Sequence, residues 1–238
     1  MTAVPANPYL ANPRWVLAEQ VTDAVRRRFA AEVAAIGAHG ALAHGDDTAD
    51  SDINLVVVTH RPGLGPRPAT RRVSGVIVDL GVIAAEEYLN HARTLSTGWP
   101  LAADQYVTTS PTYDPDGWYE RLRDTHLARL AEAGAGEFTA LAREAWYGAR
   151  SAAARARELA IWHETDAGLV ALAAARVGAA VVDGLLTRTY FRDPADAARR
   201  TGMAGVPMGE LDARLAAQAT ELANRGRPVD GEIADLFG

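Results

Sequence analysis

Two runs rich in β-branched residues, INLVVVT at 53–59 and GVIVDLGVI at 75–83, constrain the fold of this chain most. Such residues favour extended backbone on a half-buried surface, so both runs predict strands. A shorter apolar run, AIGAHG at 35–40, predicts another strand that ends at a glycine. Apolar residues recur at helical spacing over 13–35, and prolines and glycines over 60–72 predict a loop. We therefore expect a small mixed sheet with a helix packed on it.

The second half of the chain has a different periodicity. Long helical patterns with apolar residues three and four apart run over 116–134, 136–163, 166–191 and 207–226. The pattern at 166–191 is strongly apolar, which predicts the central helix of a bundle. The predicted fold class is therefore α+β, with a mixed β-sheet domain at 1–112 followed by a helical bundle domain at 113–238.

Composition excludes several classes of function. The 238 residues include no cysteine, which excludes disulfides, thiolate metal sites and cysteine nucleophiles and fits a cytoplasmic protein. All basic residues are arginine, which excludes lysine Schiff-base chemistry. The formal charge of −6 argues against a nucleic-acid surface. No apolar run reaches the roughly 18 residues of a membrane span, and the first residues lack a signal-peptide pattern. We therefore expect a small molecule as the partner, and we expect binding to neither nucleic acid nor a membrane.

Polar residues interrupt the predicted strands at spacings that suit a metal-assisted site. Asp52 and Asn54 stand two residues apart, so both lie on one face of a strand. Asp79 follows on a later strand, and Gly40 and Ala41 form a turn upstream. Transfer of a nucleotide from a triphosphate needs Mg²⁺ held by carboxylates of this kind, with a flexible turn close to the phosphates.

This arrangement resembles the nucleotidyltransferase superfamily pattern G-S-x-x-x-R…S-D-[IL]-[DE]. The stretch GWPLAADQYVTTSPTYDPDGWYERL at 98–122 resembles the segment that joins sheet to helices in the kanamycin (aminoglycoside) nucleotidyltransferase family. EAWYGAR at 144–150 falls where that family places helical residues that complete the site. The resemblance runs from about Ala35 to Pro207, and its most specific part is 98–122.

The resemblance implies a mixed sheet and a helical bundle, working as a homodimer whose active sites are built from both subunits. It implies Mg²⁺ and ATP or another NTP as cofactors, for placing a nucleotide on an aminoglycoside hydroxyl. Carried over by position, Asp52 matches the first metal carboxylate and Asp79 the third. Arg150 matches a cationic residue that contacts the phosphates.

The chain departs from the family pattern at several positions, so the motif is degenerate. The serine of the turn is Ala41, and the arginine of the motif is His44, which is shorter. The second metal carboxylate is the neutral Asn54. The glutamate base on the bundle helix aligns with Trp146, and Glu144 lies two residues earlier, about 200° around an ideal helix. No cofactor is therefore certain, and Mg²⁺ with ATP is expected only if the inherited chemistry is retained.

The candidate catalytic residues are His44, Asp52, Asp79 and Glu144, and Asp52 and Asp79 would also hold a metal if one is retained. Asp79 stands between Val78 and Leu80, which predicts a buried carboxylate that needs a partner or a metal. Glu144 could act as the catalytic base or could be an ordinary surface residue of a helix. The candidate substrate-binding residues are His39, Gly40, Ala41, Asn54, Trp146 and Arg150.

Several other polar and aromatic residues carry a structural interpretation instead. Asp46, Asp47 and Asp50 are typical of a solvated loop, although one of them could replace the missing carboxylate. Trp146 fits either the wall of a cleft or packing in the core or a dimer. The remaining histidines are expected to be structural or solvated, namely His60, His91, His126 and His163.

Three functional hypotheses follow from these residues. The first is a small-molecule enzyme repurposed on this fold, in bacterial secondary metabolism, with acid–base chemistry in an interdomain cleft and no NTP. The second is Mg²⁺-dependent transfer of a nucleotide from an NTP to a hydroxyl of an aminoglycoside-like substrate. The third is a non-catalytic small-molecule binder.

Overall fold

The structure is a computed structural model that describes residues 12–237. The prediction about a signal peptide concerns the first residues, and 1–11 lie outside the described residues. Within the described part the chain forms five strands and nine α-helices, followed by a short 3-10 turn at Ile233–Leu236. In chain order they are α1 (Pro13–Arg28), β1 (Val33–His39), α2 (Ala41–His44), β2 (Ile53–Thr59), β3 (Ala69–Val73), β4 (Val76–Ala84), α3 (Ala85–Arg93), α4 (Trp99–Thr108), β5 (Ser110–Tyr113), α5 (Trp118–Glu132), α6 (Ala135–Ile161), α7 (Thr165–Thr187), α8 (Pro194–Arg200) and α9 (Met208–Asn224).

The chain divides into two compact units. The first, the sheet unit, holds the described residues up to Thr94 together with Gln105–Leu130. The second, the helical unit, holds Leu95–Asp104 and the residues from Ala131 onward. The α+β class and the helical character of the C-terminal portion are as predicted from the sequence.

The five strands form one mixed sheet in the order β3-β4-β2-β1-β5. The central pair, β2 and β4, runs parallel, and the other neighbours are antiparallel. Helix α1 covers one face, to which alternate residues of β2 and β4 contribute apolar side chains, as expected for strands with one face turned to a core. The core beneath α1 contains Trp15, Leu17, Ala18, Ala38, Leu42, Ile53, Leu55 and Val78.

Helix α1 is shorter than its sequence pattern predicts. Asn12 caps its first turn by accepting a hydrogen bond from the N–H of Arg14, and Pro13 occupies the first helical position, where proline is favoured. The helix ends at Arg28 instead of continuing to 35, because Val33 already starts β1. Ile36 of that strand packs with Val25 of the helix, so tertiary packing overrides the helical periodicity here.

The predicted loop at 60–72 is partly wrong, because its last residues belong to strand β3. The strand pairs with β4 through a tight turn at Ser74 and Gly75, both with positive φ (50° and 86°). Such turns match the twist of paired strands. The short edge strand β5, which pairs with β1, was not predicted either.

The other face of the sheet is covered at one end by aromatic side chains of the sheet unit. The hydroxyl of Tyr119 donates to the carbonyl of Val56 at 3.0 Å, and burial raises the pKa of this tyrosine well above its usual value. Gly37 leaves the space for this contact, since a Cβ there would lie 2.9 Å from the hydroxyl oxygen of Tyr119. Behind this layer His126 is fully buried, 5.0 Å from the ring of Tyr106.

The helical unit is built on the hairpin of α6 and α7. Gly178 of α7 lies directly against Ala149 of α6, so the two backbones approach closely. Trp99 and Pro100 at the start of α4 are buried in this unit, where the Trp99 ring lies 5.2 Å from that of Phe138.

Helix α7 is central to this unit only in its second half. Its C-terminal part is buried, but Leu169 and Val170 near its start are exposed, which corrects the expectation of a fully central helix. By length and composition it could also cross a membrane, with a mean hydropathy of 1.9 over its most apolar window, 39% of which is buried. Apolar core helices of soluble proteins pass the same test.

Two glycines in the hairpin offer a matched test of packing. Gly148 lies in the middle of α6 with open space around it, so Gly148→Ala should stabilise the protein by about 0.5–1 kcal/mol. A Cβ at Gly178 would lie 2.9 Å from Cβ of Ala149, so Gly178→Ala should destabilise it by about 1–3 kcal/mol. Urea unfolding measures both changes. Equal effects at the two positions would contradict the close packing of α6 on α7.

Burial of His126 should make stability depend on pH. Burial lowers the pKa of this imidazole below 6.5, although a hydrogen bond to the carbonyl of Ala92 acts in the opposite direction. The neutral form is therefore favoured in the fold, and its contribution, present above about pH 6.5, is lost as pH falls through the lower folded pKa. The slope from this one group is at most about 1.4 kcal/mol per pH unit.

The measurement is the free energy of unfolding at pH 7.5 and pH 5.5, expected to be lower at pH 5.5. His126→Gln should reduce that difference, whatever its effect on stability at pH 7.5. His91→Gln, at an exposed position of α3, is the control and should leave the difference unchanged. A pH difference that survives His126→Gln intact would refute the role of this histidine.

Candidate functional site

Four polar side chains form a row across four neighbouring strands of the sheet. His39 of β1 pairs with Asn54 of β2, Asn54 pairs with Asp79 of β4, and Asp79 pairs with Thr70 of β3. Directly paired residues present their side chains on the same face of a sheet. Because the alternate residues lie beneath α1, the row lies on the face opposite that helix.

The row is accessible, and its carboxylate is not buried. Asp79 is exposed, so the prediction of a buried carboxylate is wrong. The flanking Val78 is buried under α1, while Asp79 takes the opposite, open face of the same strand. Its Oδ1 accepts a hydrogen bond from the hydroxyl of Thr70. Asn54 and His39 are half-buried, so the exposure of the row increases from the inner strands towards Asp79 and the edge strand β3.

A glycine turn follows His39 and approaches the middle of the row. Gly40 has φ 71° and ψ −149°, a conformation that is essentially restricted to glycine. A Cβ at this position would lie 3.3 Å from Nδ2 of Asn54, so the backbone of the turn lies close to that amide. The turn leads into α2, which contains Ala41 and ends at His44, half-buried beside Gly45.

The loop before β2 is held by the start of α1. The guanidinium of Arg14 donates to the carbonyl of Ser51 at 3.1 Å and to that of Ala49 at 2.5 Å. The amide of Asn12 donates to both carboxylate oxygens of Asp47 at 3.0 Å. Asp47 therefore has a structural role here and does not extend the row.

The other acidic residues of this loop are at the surface. Asp46 and Asp50 are exposed. Asp52 is exposed immediately before β2, outside the paired ladder, and its side chain has no hydrogen-bond or ion-pair partner within residues 12–237. The sheet therefore brings together His39, Asn54 and Asp79, with Gly40 beside them, but does not fix the direction of Asp52.

The remaining predicted site residues lie on α6, in the helical unit. Trp146 is half-buried against the core of that unit, and its indole N–H donates to the carbonyl of Leu215 at 2.8 Å. Glu144 is exposed beside Arg143, with 3.4 Å between guanidinium and carboxylate. Arg150 lies 3.5 Å from the carboxylate of Asp212 on α9. Trp146 therefore packs within the helical unit, whereas Glu144 and Arg150 lie at its surface.

The donor set of the row does not fit the metal that the resemblance implies. Among residues 12–237, no three or more His, Cys, Asp or Glu side chains are grouped so that they could hold a metal ion. In the row itself a single carboxylate is separated from the imidazole by the neutral amide of Asn54. Mg²⁺ prefers several oxygen ligands with charged carboxylates among them, so we derive no chemistry through a metal here.

Three pockets are formed elsewhere, each within one unit. One of about 310 Å³ lies between α1 and Tyr113, and one of about 410 Å³ lies beneath the proline-rich loop at 62–68. An apolar one of about 270 Å³ lies near the turn between α6 and α7. None of these three pockets includes a predicted site residue.

Thr70 is the member of the row that the sequence analysis missed. It lies in the segment that was predicted as a loop. The signal was available in Ser74-Gly75, because a two-residue turn there pairs residues equally distant from it and so places Thr70 opposite Asp79.

No protein-family model matches the chain, and no curated protein matches it. Among solved structures, the chain is similar to a nucleotidyltransferase-like protein from Exiguobacterium sibiricum 255-15. The identity is 13% and the TM-score 0.45, over 87% of this chain and 75% of that one.

The conformation of Gly40 gives a direct test of how the turn is built. Gly40→Ala should lower the free energy of unfolding by about 1–3 kcal/mol, because alanine rarely adopts this backbone and its Cβ would press on Asn54. Gly45→Ala is the matched control. Gly45 has an ordinary left-handed conformation, and nothing lies within 4 Å of a Cβ built there. Gly45→Ala should therefore lower the free energy of unfolding by only about 1 kcal/mol. Chemical denaturation compares the two, and a smaller cost at Gly40 would contradict the geometry.

Proposed function

We propose that the row of His39, Asn54, Asp79 and Thr70 binds a small polar molecule and transfers protons to and from it without an NTP. One observation carries this proposal, namely that strand register aligns an imidazole, an amide, a carboxylate and a hydroxyl on one open face. Imidazole and carboxylate are the side chains most used for general acid–base catalysis.

The spacing of the row suits a substrate that lies across β2. His39 and Asp79 are two strands apart, which corresponds to about 10 Å between their backbones. Asn54 lies between them and offers both a donor and an acceptor to orient a polar group. The hydroxyl of Thr70 engages Oδ1 of Asp79, which orients the carboxylate and leaves Oδ2 to accept a proton. His39 then acts on the opposite side of the same substrate.

The same donor set argues against nucleotide transfer. Ala41 provides no hydroxyl for a phosphate, and the row provides one carboxylate where a triphosphate with Mg²⁺ needs several. Arg150, the cation that the resemblance assigns to the phosphates, lies beside Asp212. The resemblance to kanamycin nucleotidyltransferases, the aminoglycoside substrate and a role in secondary metabolism remain hypotheses of the sequence analysis.

The experiment is a turnover screen without NTP or added metal. The purified protein is incubated with pools of hydroxylated and amino-substituted metabolites, and products are followed by mass spectrometry and by solvent deuterium incorporation. For any substrate found, His39→Gln and Asp79→Asn should each lower kcat by about 10²- to 10⁴-fold, the usual contribution of an acid–base group. His60→Gln, exposed just after β2, is the control and should retain full activity.

Two results would replace this function with another. Mg²⁺-dependent ATP binding by calorimetry, lost in Asp79→Asn and accompanied by a nucleotidylated aminoglycoside, would establish nucleotide transfer. A ligand that binds the row, is displaced by the same variants and is recovered without mass change or isotope exchange would establish a binder. Turnover that is unchanged in the double variant of His39 and Asp79 would show that the chemistry lies elsewhere.

A further inference from the structure

The first half of α7 presents an apolar stripe to solvent. Leu169 is 58% exposed and Val170 72% exposed, and Ala173 and Ala174 are exposed on the next turn. No charged residue occurs from 167 to 175. Positions at this spacing lie along one side of a helix. Soluble monomers rarely leave a contiguous apolar patch uncovered, so the stripe indicates a contact surface.

Size and charge along the stripe indicate what covers it. The two large residues, Leu169 and Val170, precede the two small ones, Ala173 and Ala174, by one turn. A negative residue, Asp166, stands before the uncharged run, and a positive one, Arg176, stands after it. Along the helix, large side chains therefore precede small ones and a negative charge precedes a positive one. Both changes occur about a centre near Ala171.

We propose that this stripe packs against the same stripe of a second copy, with the two α7 helices antiparallel about a two-fold axis near Ala171. In that arrangement Leu169 and Val170 lie over the segment of the partner that contains Ala173 and Ala174. Large residues fill the space over small ones, reciprocally, as an isologous interface requires. Small residues also allow the helix axes to approach to about 8 Å, the close end of helix packing.

Charge selects the antiparallel arrangement over the parallel one. When the helices run in opposite directions, Asp166 lies beside the partner's Arg176 at both ends of the contact. A parallel pair would bring Asp166 beside its own copy. The guanidinium of Arg176 already donates to the carbonyl of Val206, which fixes the position of this charge.

The first test measures the molar mass of the full chain in solution by light scattering and sedimentation. The wild type should be a dimer, and Val170→Arg should weaken it at least tenfold by placing a charge at the apolar centre. Since Val170 is exposed, its replacement should leave the fold of the single chain intact, which circular dichroism checks. Asp166→Arg should weaken the dimer about 2- to 5-fold through repulsion from the partner's Arg176.

A second test does not depend on dimer stability. The chain has no cysteine, so an introduced one is the sole thiol. Val170→Cys places two thiols close to the proposed axis, with an axial offset of about 3 Å. A short bismaleimide should link it into a dimer much faster than Ala217→Cys, an exposed position on α9. Equal rates at the two positions, or a wild-type monomer at tens of micromolar, would overturn the proposal.

Two other occupants of the stripe would also overturn it. Flotation of the wild type with phosphatidylcholine–phosphatidylglycerol vesicles, lost in Val170→Arg, would assign the stripe to a lipid surface. The C-terminal turn carries the exposed Ile233 and Phe237. A dimer that is lost in Phe237→Ser but unchanged in Val170→Arg would assign self-association to that turn.

Discussion

The parallel pairing of β2 with β4 is the interaction on which the sheet and its candidate site depend. Seven consecutive pairs, from Ile53 with Val78 to Thr59 with Ala84, fix this register at the centre of the sheet. A shift of one residue would turn either Asn54 or Asp79 under α1 and expose the core residues beside it on the same strand. The burial of Ile53, Leu55 and Val78 therefore holds the polar row in place, although none of them belongs to it.

The same pairing explains which parts of the fold were predictable. The two central strands have apolar residues at nearly every position, so they were evident in the sequence. Strand β3 was predicted as a loop because its residues are mostly exposed and include Arg71 and Arg72, which carry no hydrophobic signal. Edge strands derive their stability from pairing with a neighbour, and only the turn at Ser74-Gly75 predicts that pairing.

The candidate site was predicted in part, for the same physical reason. His39, Asn54 and Asp79 were identified from their order along the chain, and strand register does align them. The exposure of Asp79 was predicted wrongly, since neighbours in sequence lie on opposite faces of a strand and say little about each other's burial. The ion pair between Arg150 and Asp212 joins residues 62 positions apart, a distance over which no local pattern has predictive value.

A single neutral side chain has a large effect on what the row can do. Two unit charges 4 Å apart interact by roughly 4 kcal/mol at an effective dielectric constant of 20, and by more when one partner is a dication. An amide in place of a carboxylate removes that attraction from the middle of the row, where two strands hold Asn54 in register. Its neighbours are then a carboxylate on one side and an imidazole on the other, separated by a group that can orient a ligand but cannot neutralise a metal. The proposed proton transfer to an uncharged or cationic molecule therefore needs nothing that this row lacks, whereas a triphosphate with its metal would need further carboxylates.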